Sequence, residues 1–222
     1  MNFEEIISKL LEPYYRDNQS DIVIYCADNK TILPLIPDKS IDLVLTDPPY
    51  GIGAGREKPH NGWVDYGISD WDLQSPDESI FKLLKDKSLN QIIWGGNYFT
   101  DYLYPTMGWL VWDKGQREFS LAVGGLAWTS YQKALRIYTV ARGKALQDGK
   151  QHPTQKSLEI MKFSILYADN GNSVTTILDP FLGSGTTAVA SKILGRKCIG
   201  IEIEEKYCKI AVERLMQSVM KL

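Results

Sequence analysis

A run of aliphatic residues at positions 41–45 stops abruptly at the sequence Thr-Asp-Pro-Pro-Tyr-Gly, which occupies positions 46–51. The run predicts a buried strand, because branched aliphatic residues favour strands and the proline pair prevents a helical continuation. Asp47 would then lie at the carboxyl end of a strand, where open α/β sheets bind their ligands. This constraint predicts a short, rigid arm that carries a carboxylate, exposed carbonyls and the aromatic ring of Tyr50.

An arm of this kind suits the exocyclic amine of a nucleobase, which is a poor nucleophile because its lone pair is delocalised into the ring. A carboxylate and a carbonyl that accept hydrogen bonds from both N–H groups favour the tetrahedral form of the amine. An aromatic face can hold a base that is flipped out of a duplex. We therefore predict that Asp47 and the Pro48 carbonyl accept these bonds, that Pro49 keeps the arm rigid and that Tyr50 stacks on the base. The alternative is an ordinary turn after a strand.

Length and composition predict one globular domain that spans residues 1–222, since 44% of the residues are hydrophobic and 23% are charged. No apolar run approaches the roughly 18 residues of a membrane helix and the first residues do not resemble a secretory signal, so we expect a cytoplasmic protein without membrane contact. Cys26, Cys198 and Cys208 follow no metal-ligand spacing, which predicts reduced thiols and no metal. The formal net charge of −2 means that nucleic acid would have to bind a local patch.

Strand and helix patterns alternate along the chain, which predicts an α/β fold with a sheet of nucleotide-binding type. An amphipathic helix is expected to begin at Phe3 and to end near Pro13, and another should start at Pro76 with Ser75 as its cap. Further strands are expected at residues 21–26, 91–96, 108–113, 174–178 and 197–203, and further helices at residues 158–166, 188–194 and 207–215.

A glycine turn follows the strand at residues 174–178 and indicates a cofactor site. Gly183 and Gly185 allow the backbone to approach a ligand, which then meets the N–H groups at the start of a helix. Glu202 lies nineteen positions after Gly183, close to the spacing of an acid that binds ribose hydroxyls. The pattern also fits the loose G-x-G-x-x-A signature of dinucleotide enzymes, so a dehydrogenase that uses NAD is an alternative.

Asp179 favours a different cofactor, because its carboxylate precedes the glycines and would repel a pyrophosphate. It would instead attract an ammonium group. Together with the arm at Asp47, this favours S-adenosyl-L-methionine, which carries an ammonium group, a carboxylate and a ribose.

A basic segment lies between Asp113 and Lys156, where eight Lys and Arg residues stand against three Asp and Glu residues. Cations among aromatic residues can bind phosphates and stack on bases, although a solvated strand face over ordinary core aromatics is an equal alternative. The aromatic residues in question are Trp128, Tyr131 and Tyr138. The candidate nucleic-acid contacts, including two from the glycine-rich segment 51–72, are Arg56, Lys58, Lys114, Arg117, Lys133, Arg136, Arg142 and Lys144.

Three motifs in a fixed order resemble those of bacterial amino-group DNA methyltransferases, specifically the β-class, in which the catalytic half precedes the cofactor half. They are the Asp-Pro-Pro-Tyr arm, His-Pro-Thr-Gln-Lys at residues 152–156 and Asp-Pro-Phe-Leu-Gly-Ser-Gly-Thr-Thr at residues 179–187. The resemblance implies a Rossmann-like, mostly parallel sheet of seven strands with one reversed strand, helices on both faces and a permuted motif order.

The resemblance also assigns roles to the matching residues. Asp47, Pro48, Pro49 and Tyr50 would be catalytic. Asp28 would lie near the adenine of the cofactor, although Cys26 stands where the family usually has glycine. Ser157 replaces a common proline and should still cap a helix. The implied cofactor contacts are Asp28, Asp47, Thr154, Gln155, Lys156, Asp179, Phe181, Gly183, Ser184, Gly185, Thr186 and Glu202, with Thr154, Gln155 and Lys156 at the methionine end.

The implied function is a site-specific methyltransferase that moves a methyl group from S-adenosyl-L-methionine to a flipped base in double-stranded DNA. Adenine N6 is preferred over cytosine N4, because an aspartate at the first motif position is commoner among adenine enzymes of the family. The alternatives are a methyltransferase for RNA or protein, and a catalytically silent DNA-binding module that would bind no cofactor.

The resemblance also bears on partners. Relatives of this class often form homodimers, and we expect a role in restriction-modification, although the sequence does not indicate whether a restriction nuclease accompanies the protein. Little of the chain is left for target recognition beyond small insertions at residues 51–72 and 113–151, which implies a short or relaxed recognition site or help from a partner subunit.

Overall fold

Strands and helices alternate along the chain in the computed structural model, which describes residues 1–53, 72–115, 117, 122–141, 156–171 and 173–217. The strands are β1 Tyr15–Asp17, β2 Ile22–Cys26, β3 Ile41–Thr46, β4 Ser88–Trp94, β5 Trp109–Asp113, β6 Gly124–Thr129, β7 Arg136–Thr139, β8 Thr176–Asp179 and β9 Lys197–Glu202. The helices are α1 Phe3–Ile7, α2 Asn29–Ile32, α3 Glu78–Lys87, α4 Leu158–Ala168, α5 Thr186–Ile193 and α6 Glu205–Gln217, with short 3-10 helices at Leu33–Leu35 and Gly96–Tyr98.

The strands form one sheet in the order β1-β2-β9-β8-β3-β4-β6-β5-β7. Strands β2, β9, β8, β3 and β4 pair in parallel, whereas β6 runs antiparallel to both β4 and β5, and β1 runs antiparallel to β2. Strand β7 pairs in parallel with β5 at the far edge. The expected mostly parallel α/β sheet is therefore confirmed.

Helices cover both faces of the sheet. Apolar residues of α1, α2 and α3 pack on one face, where Val23 and Tyr25 of β2 point, and residues of α4, α5 and α6 pack on the other, where Ile22 and Ile24 point. This arrangement explains why β3 reads as a nearly continuous apolar run, since a central parallel strand is buried on both sides.

Two helices begin at side-chain caps. Ser157 accepts a hydrogen bond from the Ile160 N–H at the start of α4, as the sequence predicted. Helix α3 begins two residues later than expected, because Asp77 rather than Ser75 accepts a bond from the first turn, at the Ser79 N–H. A carboxylate at this position also favours the positive end of the helix.

Several expectations differ from the structure. Helix α1 is shorter than predicted. A capping box between Asn2 and Glu5 starts it at Phe3, as expected, but it ends at Ile7. Tyr15 belongs instead to β1, which pairs with β2. The described residues contain nine strands rather than seven, since β1 and β7 extend the two edges of the sheet. The described part of the expected insertion at residues 113–151 includes β6 and β7, which belong to the sheet itself.

The order of the strands in the sheet reverses its direction between β8 and β3. From β3 the chain continues through α3 to β4 on one side, and from β8 it continues through α5 to β9 on the other. Ligands of open α/β sheets bind in the crevice at such a point, outside the carboxyl ends of the strands. Asp47 and Asp179 both lie there.

The cap of α4 provides a test of local stability. We expect Ser157→Ala to lower the free energy of unfolding by about 1 kcal/mol, because the Ile160 N–H loses its acceptor. Urea unfolding of the purified variants measures this loss. Ser157→Thr keeps a hydroxyl and should retain most of the stability, so an equal loss in both variants would contradict the capping role.

Candidate active site

A cavity of about 660 Å³ opens at the carboxyl ends of β2, β3, β8 and β9. Asp47 and Pro49, which follow β3, line this cavity. Lys156, which precedes the cap residue of α4, lines it as well. The remaining lining residues are Ala27, Asp28, Asn29, Lys30, Gln74, Ser75, Pro76, Asp77, Ile80, Met161, Asp179, Pro180, Phe181, Leu182, Gly183, Ser184, Thr186, Thr187, Ile201, Glu202, Ile203, Glu204 and Tyr207.

Carboxylates dominate the charge of this cavity. Its lining includes six acidic side chains, from Asp28, Asp47, Asp77, Asp179, Glu202 and Glu204, and two cationic ones, from Lys30 and Lys156. A cavity of this sign attracts a ligand with positive groups and disfavours a pyrophosphate.

Asp47 is held in a tight polar cluster. The Lys156 ammonium donates to both Asp47 carboxylate oxygens at 2.8 and 2.9 Å, and the Tyr50 hydroxyl donates to Oδ1 at 2.5 Å. Lys156 also donates to the Tyr50 hydroxyl at 3.0 Å, while its Nζ is 5.6 Å from the ring centroid, so the ammonium lies toward the hydroxyl tip rather than over the ring. Burial raises the pKa of Tyr50, and the neighbouring Asp47 charge adds to the effect.

The Tyr50 ring is fixed by residues that follow β4. Tyr98 stacks on it with ring centroids 4.5 Å apart and an interplanar angle of 12°, and Phe99 contacts it edge to face. Gly95 has a φ of +72°, and a Cβ at this position would lie 2.0 Å from Cε1 of Tyr50. The sequence analysis did not identify these three residues, because nothing local marks their contact with a tyrosine that follows another strand.

Asp72 holds the backbone of the arm. Its Oδ1 accepts hydrogen bonds from the Tyr50 N–H at 2.6 Å and the Gly51 N–H at 3.0 Å, and its backbone carbonyl accepts one from the Gly53 N–H. Asp72 is buried. The sequence analysis did not single it out, and the only available signal was a lone acid beside a tryptophan.

Asp179 lies in the floor of the cavity and is buried. Its Oδ1 accepts hydrogen bonds from the Thr46 hydroxyl at 2.7 Å and from the Phe181 N–H at 3.1 Å. Burial raises the pKa of Asp179 to about 6, an effect that these hydrogen bonds oppose and that the charge of Asp47 increases. The two predicted acids of β3 and β8 are therefore brought together, as the parallel pairing of the strands requires.

The glycine turn adopts the conformation that its sequence favours. Gly183 and Gly185 have φ values of +54° and +82°, and a Cβ at Gly185 would lie 2.6 Å from the Ala211 Cβ of α6. Arg214, also from α6, donates to the Ser184 carbonyl at 2.6 Å and to the Thr186 hydroxyl at 3.0 Å. The sequence analysis missed this role of Arg214, since a single arginine in a C-terminal helix carries no distinguishing signal.

Glu202 and Asp28 close the other end of the cavity. Glu202 accepts hydrogen bonds from the Gly183 N–H and the Glu204 N–H, both at 2.8 Å, and burial raises its pKa. Asp28 caps α2 by accepting a bond from the Lys30 N–H at 2.8 Å. Both acids line the cavity.

The candidate nucleic-acid contacts have diverse surroundings. Arg117 forms two hydrogen bonds with Asp113, at 2.7 and 2.8 Å, and Lys114 donates to the Ala122 carbonyl. Lys133 bonds the Tyr167 carbonyl near the end of α4, and Arg136 is exposed on the edge strand β7.

The aromatic residues of the same segment pack inward. Tyr138 stacks on Phe163, Tyr131 contacts Tyr167 edge to face, and Trp128 is buried. This packing agrees with the alternative of core aromatics beneath a strand face. Six candidate site residues lie outside the described part of the chain: Arg56, Lys58, Arg142, Lys144, Thr154 and Gln155.

Neither a metal cluster nor a membrane helix is found in the part of the chain that the structure describes. Over those residues, no three His, Cys, Asp or Glu side chains are grouped to hold an ion. No helix among them has the length and apolar character to cross a bilayer.

The sheet, its switch point and an acidic cavity beside a buried glycine turn define an α/β enzyme of nucleotide-cofactor type. The chain belongs to the family of N6 and N4 amino-group methyltransferases, whose model, described as DNA methylase, matches residues 93–213. The predicted family is therefore confirmed, and this chain is a DNA methyltransferase.

Individual relatives agree with this family. The chain is 30% identical to the type II methyltransferase M2.LlaDCHI of Lactococcus lactis subsp. cremoris, with 93% of each chain covered. It is 28% identical to the DNA adenine methyltransferase YhdJ of Escherichia coli, with 92% of this chain and 85% of the relative covered. Among solved structures, it is similar in fold to the M1.HpyAVI complex with SAM, with a TM-score of 0.58, 24% identity, and coverage of 87% of this chain and 99% of that one.

The contact between Gly95 and Tyr50 predicts a large effect of one methyl group. Gly95→Ala should lower the free energy of unfolding by about 2–4 kcal/mol, from the left-handed backbone and from the collision with the ring. Gly171→Ala is the matched control, because Gly171 has a φ of +74° and open space around a Cβ, so only the backbone cost of about 1 kcal/mol applies. Thermal and urea unfolding measure both, and equal losses would contradict the steric role.

The raised pKa of Asp179 predicts a pH dependence of stability. Its folded-state pKa of about 6 lies above the value of 3.8 for an unperturbed aspartate, so the folded state binds the proton more tightly than the unfolded state. Its contribution to the free energy of unfolding should therefore fall by about 1.5–3 kcal/mol as the pH rises from 4 to 7. Asp179→Asn should remove this component, which urea unfolding of both proteins across this range measures. Parallel curves for the two proteins would contradict the shift.

Proposed function

We propose that this protein transfers the methyl group of S-adenosyl-L-methionine to the exocyclic amine of a flipped base in double-stranded DNA, with adenine N6 as the preferred acceptor. The observation that carries the proposal is that the Asp47 carboxylate lines the same acidic cavity as Gly183 and Ser184 of the glycine turn. The acceptor for an amine and the cradle for a cofactor thus share one cavity.

The charge and shape of the cavity fit S-adenosyl-L-methionine. Its sulfonium and ammonium groups match a lining in which acids outnumber cations, and Gly183 leaves open space where a side chain would otherwise project. Asp179 and the glycine turn would hold the methionine portion, and Glu202 and Asp28 the adenosine portion. When bound, this cofactor supplies an electrophilic methyl group on a positively charged sulfur. An NAD-type pyrophosphate would meet the carboxylates of Asp47 and Asp179, which disfavours the dehydrogenase alternative.

The catalytic arm supplies orientation and hydrogen-bond acceptors. Asp47 and the Pro48 carbonyl accept hydrogen bonds from the two N–H groups of the target amine. These bonds localise the lone pair of the amine nitrogen for attack on the methyl group. Asp47 is also placed to take the proton that the amine loses after the transfer. Tyr50 stacks on the base, and Pro49 lines the cavity beside Asp47. No covalent bond between protein and base is required.

Adenine is the preferred base for two reasons. Asp47 stands where the adenine enzymes of the family more often have aspartate, and the relative YhdJ is named as a DNA adenine methyltransferase. Cytosine N4 is the alternative, because its amine could use the same acceptors. Methylation of RNA or protein by a related arrangement is a further outcome that the experiment below distinguishes.

The finer architecture and partners are also part of this proposal. The seven strands from β2 to β5 would form the core sheet of the family with β6 reversed, and the order of catalytic before cofactor motifs is the permuted order of the β-class. A single domain, a cytoplasmic location, a role in restriction-modification and a homodimer are consistent with it. Contacts to DNA would come from segments 51–72 and 113–151. Arg136 is an exposed candidate among the described residues of the second segment.

The decisive test is nucleoside mass spectrometry of unmethylated DNA incubated with the purified protein and S-adenosyl-L-methionine. We expect N6-methyladenine with the unaltered protein and none with Asp47→Ala, because the amine then lacks its acceptor. Calorimetry should show that the variant still binds the cofactor. Appearance of N4-methylcytosine instead would reassign the base.

The matched control is Asp17→Ala. Asp17 pairs with Lys192 at 2.7 Å and is as buried as Asp47, but it lies on the edge strand β1 away from the cavity. This variant should retain the activity. Near-normal methylation by Asp47→Ala would overturn the catalytic assignment, and methylation of RNA or protein but not DNA would overturn the substrate.

A further inference from the structure

Lys156 already donates hydrogen bonds to the carboxylate that we propose as the acceptor of the target amine. Its ammonium donates to Oδ1 at 2.8 Å and to Oδ2 at 2.9 Å, and the Tyr50 hydroxyl donates to Oδ1 as well. Both carboxylate oxygens therefore already accept hydrogen bonds from the protein. An exocyclic amine would therefore have to compete with these donors for the charge and the lone pairs of Asp47.

Two donors cover Asp47, but they differ in their freedom to move. The Tyr50 ring is held in place by the stack with Tyr98 and by the close approach of the Gly95 backbone. The Lys156 side chain is long, it lines the cavity, and it lies next to the cap of α4 at Ser157. Lys156 is therefore the donor that can turn away without disturbing the packing around the arm.

The proposed cofactor brings the charges that would release Lys156. Its sulfonium and ammonium groups would repel the positively charged Lys156 side chain. Its carboxylate would offer the Lys156 ammonium a new anionic partner. Both changes act in the same direction on the ion pair with Asp47. A ligand shifts such an equilibrium only by its differential interaction with the two states, and this difference is electrostatic here.

We propose that Lys156 is a charge latch: it covers Asp47 until the cofactor binds, then pairs with the carboxylate of the cofactor and leaves Asp47 open to the target amine. This inference rests on the proposed function and adds to it an order of events. The cofactor would bind first and the base second. Lys156 acts as a positioning residue, since it controls when Asp47 can accept the amine.

A second ion pair in the chain serves as the internal reference. Lys192 and Asp17 are 2.7 Å apart, with side-chain exposures of 12% and 11%, and Lys156 and Asp47 are 2.8 Å apart, with exposures of 12% and 16%. The two pairs thus match in shortest distance and in burial. Lys192 lies outside the lining of the cavity, so its ion pair should not respond to the cofactor.

The first experiment follows the lysine ammonium groups directly, by NMR of protein labelled with nitrogen-15 in lysine. Lys156→Met and Lys192→Met assign the two signals. Addition of S-adenosylhomocysteine, which has a carboxylate, should shift the Lys156 signal and leave the Lys192 signal in place. Methylthioadenosine, which lacks the carboxylate and the ammonium group, should leave both in place.

The second experiment measures the coupling between cofactor and base. It uses a duplex that the methylation assay identifies as a substrate, with 2-aminopurine at the target position to report flipping by fluorescence. S-adenosylhomocysteine should tighten binding of the flipped base at least about fivefold in the unaltered protein. In Lys156→Met the factor should fall to near one, because Asp47 is open from the start. Lys192→Met should keep the fivefold factor.

The outcomes separate this inference from the proposed function. If S-adenosylhomocysteine binds by calorimetry and the enzyme methylates DNA, but the Lys156 signal does not move and the coupling survives in Lys156→Met, the latch is wrong and the proposed function stands. If S-adenosylhomocysteine does not bind at all, both are overturned.

Discussion

The arrangement of the site depends on two carboxylates at the ends of neighbouring strands. Parallel pairing of β3 and β8 brings Asp47 and Asp179 to the same edge of the sheet, where the charge of Asp47 adds to the cost of a charge on Asp179. The fold compensates them differently. Asp179 is buried under hydrogen bonds from Thr46 and the Phe181 N–H, whereas Asp47 faces the cavity and takes the ammonium of Lys156. A buried acid can stabilise the fold, whereas an acid that faces a cavity can exchange its hydrogen-bond donors.

The catalytic arm depends on support from elsewhere in the chain. Two prolines stiffen its backbone, but its aromatic ring is oriented by the turn after β4, through the stack with Tyr98 and the close approach of Gly95. Asp72 then ties down the two N–H groups that follow the prolines. The arm is thus a local motif whose geometry is completed by residues 22 to 48 positions away, so substitutions outside the motif can misplace the ring.

The cofactor turn has a comparable dependence on α6. Ala211 sits against Gly185 closely enough to exclude any side chain there, and Arg214 bridges the backbone of Ser184 and the side chain of Thr186. The last helix therefore shapes the loop that would cradle the cofactor, although it contributes only Tyr207 to the lining of the cavity. Catalytic and cofactor halves each rely on a partner that their own motifs do not reveal.

The sequence by itself determined the parts of this protein that local chemistry encodes. The buried strand ending at Asp47, the glycine turn at 183–185, the acid at Glu202 and the cap at Ser157 were all predictable, because residue periodicity, proline and glycine restrict the backbone over a few positions. The family, too, followed from motifs that each span fewer than ten residues. Only the tertiary structure decided the added edge strands, the stack of Tyr98 on Tyr50, the anchoring by Arg214 and the ion pair between Lys156 and Asp47. These contacts join residues far apart in the chain, and their partners are selected by the order of strands in the sheet, which no local pattern specifies.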